Sequence, residues 1–146
     1  MRYGYTGAVL TSNDVIRRYY ARFNAGDWDG MCALLTDDVI HDRNQGQRHL
    51  GRTEFRSFLD HMASCYRERV SDVVVMSTTA YAAARLAAEY VVHGEYIRDD
   101  DGLPPARGQR YILPGGAFFL LRRGRIARIT NYYNLRAWLE QVSAVP

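Results

Sequence analysis

The apolar residues of this chain change their spacing about halfway along, and this change limits the folds available to it. Up to about residue 66 they recur at helical spacing on successive segments. From about residue 70 onward the chain consists of β-branched and apolar runs separated by turns rich in Gly, Asp and Pro. Helices followed by a run of long strands predict an α+β domain with an antiparallel sheet, rather than a parallel, doubly wound sheet.

Three helices are predicted in the first half of the chain. The first spans about 12–25 and ends at Gly26, a residue that favours helix termination. A short second helix follows Asp27 and ends at 37–38. The third begins near Thr53. The residues expected to face inward from the first two helices are Val15, Ile16, Tyr19, Tyr20, Phe23, Trp28, Met31, Leu34 and Leu35.

The second half is predicted to form long strands, after a short strand at 39–42 and a loop at 43–51. The predicted strands are 70–77, 82–97, 109–121 and 125–133, and Asn134 can cap a last helix. A bulge or kink is expected at 114–116, because Pro114 cannot donate a ladder hydrogen bond. We predict one domain over 12–143, preceded by a tail at 1–11. A curved sheet over the first helix would enclose a pocket.

Composition excludes several classes of protein. The net charge is only +3, and the basic residues, all arginine, are scattered, which does not favour nucleic-acid binding. Membrane-length apolar runs and signal-peptide patterns are absent, so a cytoplasmic location is expected. Cys32 and Cys65 form no CxxC pair, and His61 with Cys65 supplies only two metal ligands. No metal, cofactor or covalent nucleophile is therefore predicted.

Three stretches resemble ketosteroid isomerases and SnoaL-like proteins of the nuclear transport factor 2-like superfamily. They are RRYYARFNAGDWDGMCALLTDDVIHD, GRTEFRSFLDHM and GRIARITNYYNL. The resemblance implies a cone-shaped α+β fold, in which a curved antiparallel sheet wraps over a long N-terminal helix as a cystatin-like barrel. It implies three N-terminal helices, a short C-terminal helix, a mostly apolar pocket and a homodimer formed through the outer face of the sheet.

The resemblance also implies roles for particular residues. Steroid isomerases of this family use a strand carboxylate as base, with a helix Tyr and a protonated late-strand Asp as hydrogen-bond donors. Aligning the N-A-G-D segments matches Tyr19 to the helix Tyr, and Asp42 matches the base if one residue is missing after Asp38. The position of the late Asp falls at Gly116, so classical steroid isomerase activity is not expected.

Each candidate site residue has a second, structural interpretation. Asp42 is either a general base whose pKa an apolar pocket raises, or a strand-end acid that pairs with Arg43 or Arg48. Its neighbour His41 should point to the opposite face and be partly exposed, unless local irregularity makes the two an acid–base pair. Tyr19 either donates to a ligand carbonyl or packs in the core.

Four further residues are predicted to line the pocket. Asn131 and Tyr133 share one strand face with Ile129, where Asn131 either contacts a ligand or makes a structural hydrogen bond. Phe23 and Phe118 are expected to supply apolar wall.

Two functions follow as hypotheses. The first is general acid–base proton transfer on a small apolar carbonyl compound, as in an isomerase or a polyketide cyclase. The alternative is a non-catalytic domain of the same fold that binds a small molecule or dimerises. Epoxide opening is a weaker possibility, because the Asp–Arg–Asp arrangement that it needs cannot be assembled from the late strands.

Overall fold

The computed structural model describes residues 10–78 and 84–145, so most of the predicted 1–11 tail and the predicted start of the strand at residue 82 lie outside these residues. In chain order the elements are α1 (Ser12–Ala25), α2 (Trp28–Cys32), β1 (Leu35–Arg43), β2 (Arg48–Leu50), α3 (Arg52–Cys65), β3 (Tyr66–Ser77), β4 (Ala84–Tyr96), β5 (Gln109–Arg122), β6 (Arg125–Tyr133) and α4 (Leu135–Ser143). No helix among the described residues is long and apolar enough to cross a membrane.

The strands form one curved, unclosed sheet in the order β2-β1-β6-β5-β4-β3. Neighbouring strands are antiparallel except for β1 and β6, which run parallel. Helix α1 packs against β3 and β4, and α3 packs against β1 and β2. The predicted α+β architecture is confirmed, with three helices before the long strands and one after them.

Helix α1 begins and ends where its sequence predicts. Thr11 caps the start, accepting from the Asp14 amide while the Asp14 carboxylate accepts from the Thr11 amide. Gly26 ends the helix in the left-handed conformation, which glycine adopts without steric cost. Asn24, in the last turn, donates to the Val70 carbonyl at 2.9 Å and accepts from its amide at 2.8 Å. The family-like N-A-G-D segment therefore fastens α1 to the edge strand β3.

The segment 33–50 differs from the sequence prediction. Helix α2 ends at Cys32, and Leu35, predicted to be helical, is instead the first residue of β1 and pairs with Ile126 of β6. The predicted loop at 43–51 contains β2, which pairs with the end of β1. The apolar run at 31–35 is too short for its spacing to distinguish a helix from a strand. Pairing of Leu35 with the distant strand β6 makes it part of a strand.

No bulge occurs at 114–116, where the register between β4 and β5 is continuous. The amide and carbonyl of Ile112 bond to the side chain of Gln141 in α4, so they point away from β4. Strand alternation directs the Pro114 nitrogen to that same edge, where β6 pairing begins only at Gly115. Proline is accommodated because no strand requires its missing donor.

Candidate functional site

A cavity of about 420 Å³ lies between the concave face of the sheet and helices α1, α3 and α4. Most of its lining is aromatic or aliphatic, and a small number of polar side chains interrupt this surface. Such a composition is typical of a small-molecule site.

Five of the residues predicted for the site line this cavity. They are Tyr19, Phe23, His41, Asn131 and Tyr133. Asn131 and Tyr133 lie on the same face of β6, as the alternation of side chains along a strand predicted.

Asp42 and Phe118 do not line the cavity, and their predicted placement in a pocket is wrong. Asp42 is opposite Arg48 on the outer face of the β1–β2 hairpin, where the guanidinium binds both carboxylate oxygens at 2.6 and 3.1 Å. Phe118 is 55% exposed on the outer face of β5 and contacts the ring of Tyr132. Both errors concern the face of the strand, because a one-residue shift reverses the direction of a side chain.

His41 occupies the inner face instead, contrary to the expectation that it would be partly exposed. Its side chain is 1% exposed and packs against the rings of Phe55 and Phe58. The Nε2 atom donates to Asn131 Oδ1 at 2.8 Å, and Nδ1 lies 3.4 Å from Nδ1 of His49. Burial, opposed by the Asn131 hydrogen bond, lowers the pKa of His41 to about 4, so the imidazole is neutral at pH 7.

Three tyrosines extend this polar network into the cavity. The Asn131 amide lies 3.5 Å from the Tyr90 hydroxyl, and the Tyr20 ring packs 5.1 Å from the Tyr90 ring. The Tyr20 hydroxyl is buried and, among the described residues, has no hydrogen-bond partner. Burial raises the pKa of Tyr19, Tyr20 and Tyr90, so all three remain protonated and can donate.

Glu68 is a carboxyl group in the cavity wall that the sequence analysis did not identify. It lies on the inner face of β3, and its Oε1 accepts a hydrogen bond from the Tyr111 hydroxyl. Burial raises the pKa of Glu68, and the Tyr111 hydrogen bond partly offsets this effect. A carboxyl group with a raised pKa in an apolar cavity has the properties of a general acid or base.

Glycine on the intervening strand makes the Tyr111–Glu68 contact possible. Tyr111, Gly94 and Glu68 lie side by side on β5, β4 and β3. The Tyr111 ring occupies the space that a Cβ at position 94 would fill, so any other residue there would collide with it. Gly115 likewise leaves space for Tyr90, whose ring would lie 2.7 Å from an added Cβ.

Gly116, matched by resemblance to the position of a late-strand acid, belongs to the outer face of β5. The residues of β5 that face inward are Tyr111, Leu113, Gly115, Ala117 and Phe119. The inner face of β5 therefore carries no carboxyl group, and the strand carboxyl group that lines this cavity is Glu68 of β3.

The comparisons with known proteins agree with this architecture. The pattern that defines the SnoaL-like domain matches residues 16–129. The chain belongs to the SnoaL-like domain family. A comparison with curated proteins finds no match. The family assignment accords with the resemblance of the N-A-G-D, third-helix and final-hairpin segments.

Solved structures of candidate polyketide cyclases superpose closely on this chain. A candidate polyketide cyclase from Pseudomonas putida is 53% identical, with a TM-score of 0.88 over 92% of this chain and 99% of that one. Another from Xanthomonas campestris is also 53% identical, with a TM-score of 0.85 over 90% and 96%. A third from Silicibacter is 50% identical, with a TM-score of 0.87 over 91% and 96%.

Proposed function

We propose that this SnoaL-like protein catalyses general acid–base proton transfer on a small, largely apolar carbonyl compound. The observation that carries the proposal is Glu68, a carboxyl group with a raised pKa in the wall of an aromatic cavity. The size of the cavity suits one small molecule, and similar chains are named as candidate polyketide cyclases.

In this proposal Glu68 removes the proton alpha to the carbonyl. The raised pKa of Glu68 is closer to the pKa of a carbon acid than the pKa of an ordinary surface glutamate is. Glu68 is therefore the stronger base of the two. The Tyr111 hydroxyl orients the carboxylate and leaves its other oxygen, Oε2, for the substrate. Asp42, which the sequence suggested as base, is neutralised by Arg48 outside the cavity.

The developing enolate oxygen needs hydrogen-bond donors in the same cavity. Tyr19 lines the cavity, and burial raises its pKa, so its hydroxyl stays protonated and can donate. Asn131 and Tyr90 form a second polar position, which neutral His41 holds in place. We propose that Tyr19 donates to the enolate, with the Asn131–Tyr90 pair as the second donor. One such donor is worth about 10²–10³ in rate.

Proton exchange in deuterated water tests this function without knowledge of the natural substrate. Wild-type protein is incubated with a panel of apolar aryl ketones and β-diketones, and loss of the α-proton signal is followed by NMR. We expect exchange of at least one compound above the buffer rate. Binding of panel members without any exchange would contradict the proposal and favour the non-catalytic binding domain.

We also propose that two copies of the chain associate through the outer face of the sheet. Large apolar side chains are exposed on this face: Val74, Met76, Phe118 and Tyr132 lie in adjacent rows of the sheet, and Ile112 lies further along β5. A contiguous apolar patch of this kind is typical of an interaction surface. Glu89 on β4 and Arg128 on β6, two strands apart on the same face, provide charges of both signs, which a self-complementary two-fold contact can pair.

Replacing Phe118 with Asp should disrupt this association, because it introduces a charge at the centre of the patch. Light scattering at micromolar concentration should give about twice the 16.7 kDa chain mass for wild type and the single-chain mass for the variant. Arg136→Asp, on the exposed side of α4, is the control and should leave the wild-type mass unchanged. A wild-type protein of single-chain mass would refute the dimer.

A further inference from the structure

A second polar cluster lies at the end of the cavity where α3 meets the loop after β4. His61 and Cys65 are one helical turn apart at the end of α3, and Asp100 follows β4. Donor atoms of these three residues lie within 4.8 Å of one another. His61 and Asp100 also line the cavity. Only two of these ligands are near each other in the sequence, because the fold brings in the third from 35 positions beyond Cys65.

The carboxylate of Asp100 is held in a fixed orientation. The Tyr66 hydroxyl donates to Oδ2 at 2.8 Å, and the Asp100 amide donates to the Tyr96 hydroxyl, also at 2.8 Å. This leaves Oδ1 facing His61, whose Nε2 lies 2.9 Å away. Protein metal sites use the same device, since outer hydrogen bonds orient the carboxylate and imidazole ligands.

Charge at this cavity favours a cation. Among the described residues that line it, the carboxylates of Glu68, Asp100 and Asp101 outnumber the guanidinium of Arg43. Arg43 lies over the ring of Phe58 and lines a neighbouring pocket with His61. Arg98 donates to the hydroxyl of Ser64, next to Cys65, at 2.7 Å. A divalent ion bound at Asp100 would lower the repulsion among these carboxylates.

We propose that His61, Cys65 and Asp100 bind a divalent metal ion, and that the ion is Zn²⁺. Thiolate, imidazole and carboxylate together are the donor set of zinc, whereas Mg²⁺ and Ca²⁺ prefer oxygen ligands alone. In a tetrahedral zinc site neighbouring donor atoms lie about 3.5 Å apart. The cluster reaches this spacing by small side-chain movements, for which the half-exposed His61 has freedom. Three protein ligands leave one position open to the cavity.

Zinc binding requires that the ligand atoms of Cys65 and His61 lose their protons. The Cys65 thiol loses its proton to solvent, and the thiolate coordinates the ion. The Nε2 proton of His61, which now bonds to Asp100 Oδ1, moves through solvent to Nδ1 by tautomerisation, and Nε2 then coordinates the ion. Metal affinity should therefore fall as the pH is lowered.

Cobalt titration of the whole chain, freed of metal by a chelator, tests the site. Co²⁺ bound to Cys65 should produce a thiolate-to-cobalt charge-transfer band at one equivalent, and Zn²⁺ should abolish that band. Cys65→Ser should lose the band, whereas Cys32→Ser, which alters the other buried cysteine, should retain it. A wild-type protein without the band, or a band that persists in Cys65→Ser, would overturn the proposal.

The remaining variants keep the test valid if Cys65→Ser does not fold. His61 is half-exposed, so His61→Ala should fold, and loss of this ligand should weaken zinc binding by about 100-fold or more in competition with a chromophoric chelator. Tyr66→Phe removes only the hydrogen bond to Asp100 and should cost about 10-fold. His93→Ala, at an exposed histidine outside the cluster, should change nothing. Equal zinc affinity in wild type and His61→Ala would contradict the site.

Discussion

Replacing Glu68 with Gln should lower the rate of α-proton exchange by about 10²–10⁴, the usual contribution of a positioned general base. Gln can still accept the Tyr111 hydrogen bond and has nearly the same volume, so the cavity should keep its shape. The loss should appear in kcat, with little change in the affinity for the ketone. NMR exchange rates and ligand titrations on the same preparation measure the two quantities.

Two matched variants accompany that measurement. Asp42→Asn removes the carboxylate that the sequence pattern suggested, and it should leave exchange unchanged because Asp42 pairs with Arg48 outside the cavity. Glu89→Gln makes the same chemical change as Glu68→Gln on the exposed face of β4 and should also have no effect. If Asp42→Asn abolished exchange and Glu68→Gln did not, the assignment of the base would be wrong.

The free energy of unfolding should fall by about 3 kcal/mol between pH 6.5 and pH 4 because of His41. Its pKa is about 4 in the folded protein and near 6.5 when unfolded, so the unfolded chain binds the extra proton within this window. This stabilisation is complete above pH 6.5 and is lost as the pH falls towards 4. Urea denaturation at a series of pH values measures it.

The His41→Gln variant isolates this contribution from those of other groups. Its stability should depend much less on pH over the same window, even if the substitution lowers stability overall. His93→Gln changes an exposed histidine and should reproduce the wild-type slope. Parallel pH dependence in wild type and His41→Gln would mean that His41 does not carry the effect.

Most of the fold follows from periodicity and local signals. Helix α1, the last three strands and α4 lie close to their predicted bounds, because each combines a long pattern with a clear terminus such as Gly26 or Asn134. The segment 33–50 was predicted less well. There, a short apolar run is compatible with helix or strand, and pairing of Leu35 with Ile126 from the far end of the chain decides between them.

The site was predicted only in part, and strand face explains most of the errors. His41 and Asp42 are adjacent, so the hairpin register that opposes Asp42 to Arg48 also turns His41 inward. Glu68 carried no signal, because its charged Arg-Glu-Arg run lies before the predicted strand at 70–77, whereas β3 begins at Tyr66. Its role depends on Tyr111 reaching across Gly94, a contact between three strands that local sequence does not encode.

The most direct test of the proposed function is the pKa of Glu68, measured by carboxyl-carbon NMR with Glu68→Gln to assign the signal. We expect titration clearly above the ordinary glutamate value of about 4.3, because the cavity wall disfavours the charged form. Titration at or below that value would mean a solvated or ion-paired carboxylate. Glu68 could not then serve as the base, and the proposed proton transfer would lose its principal support.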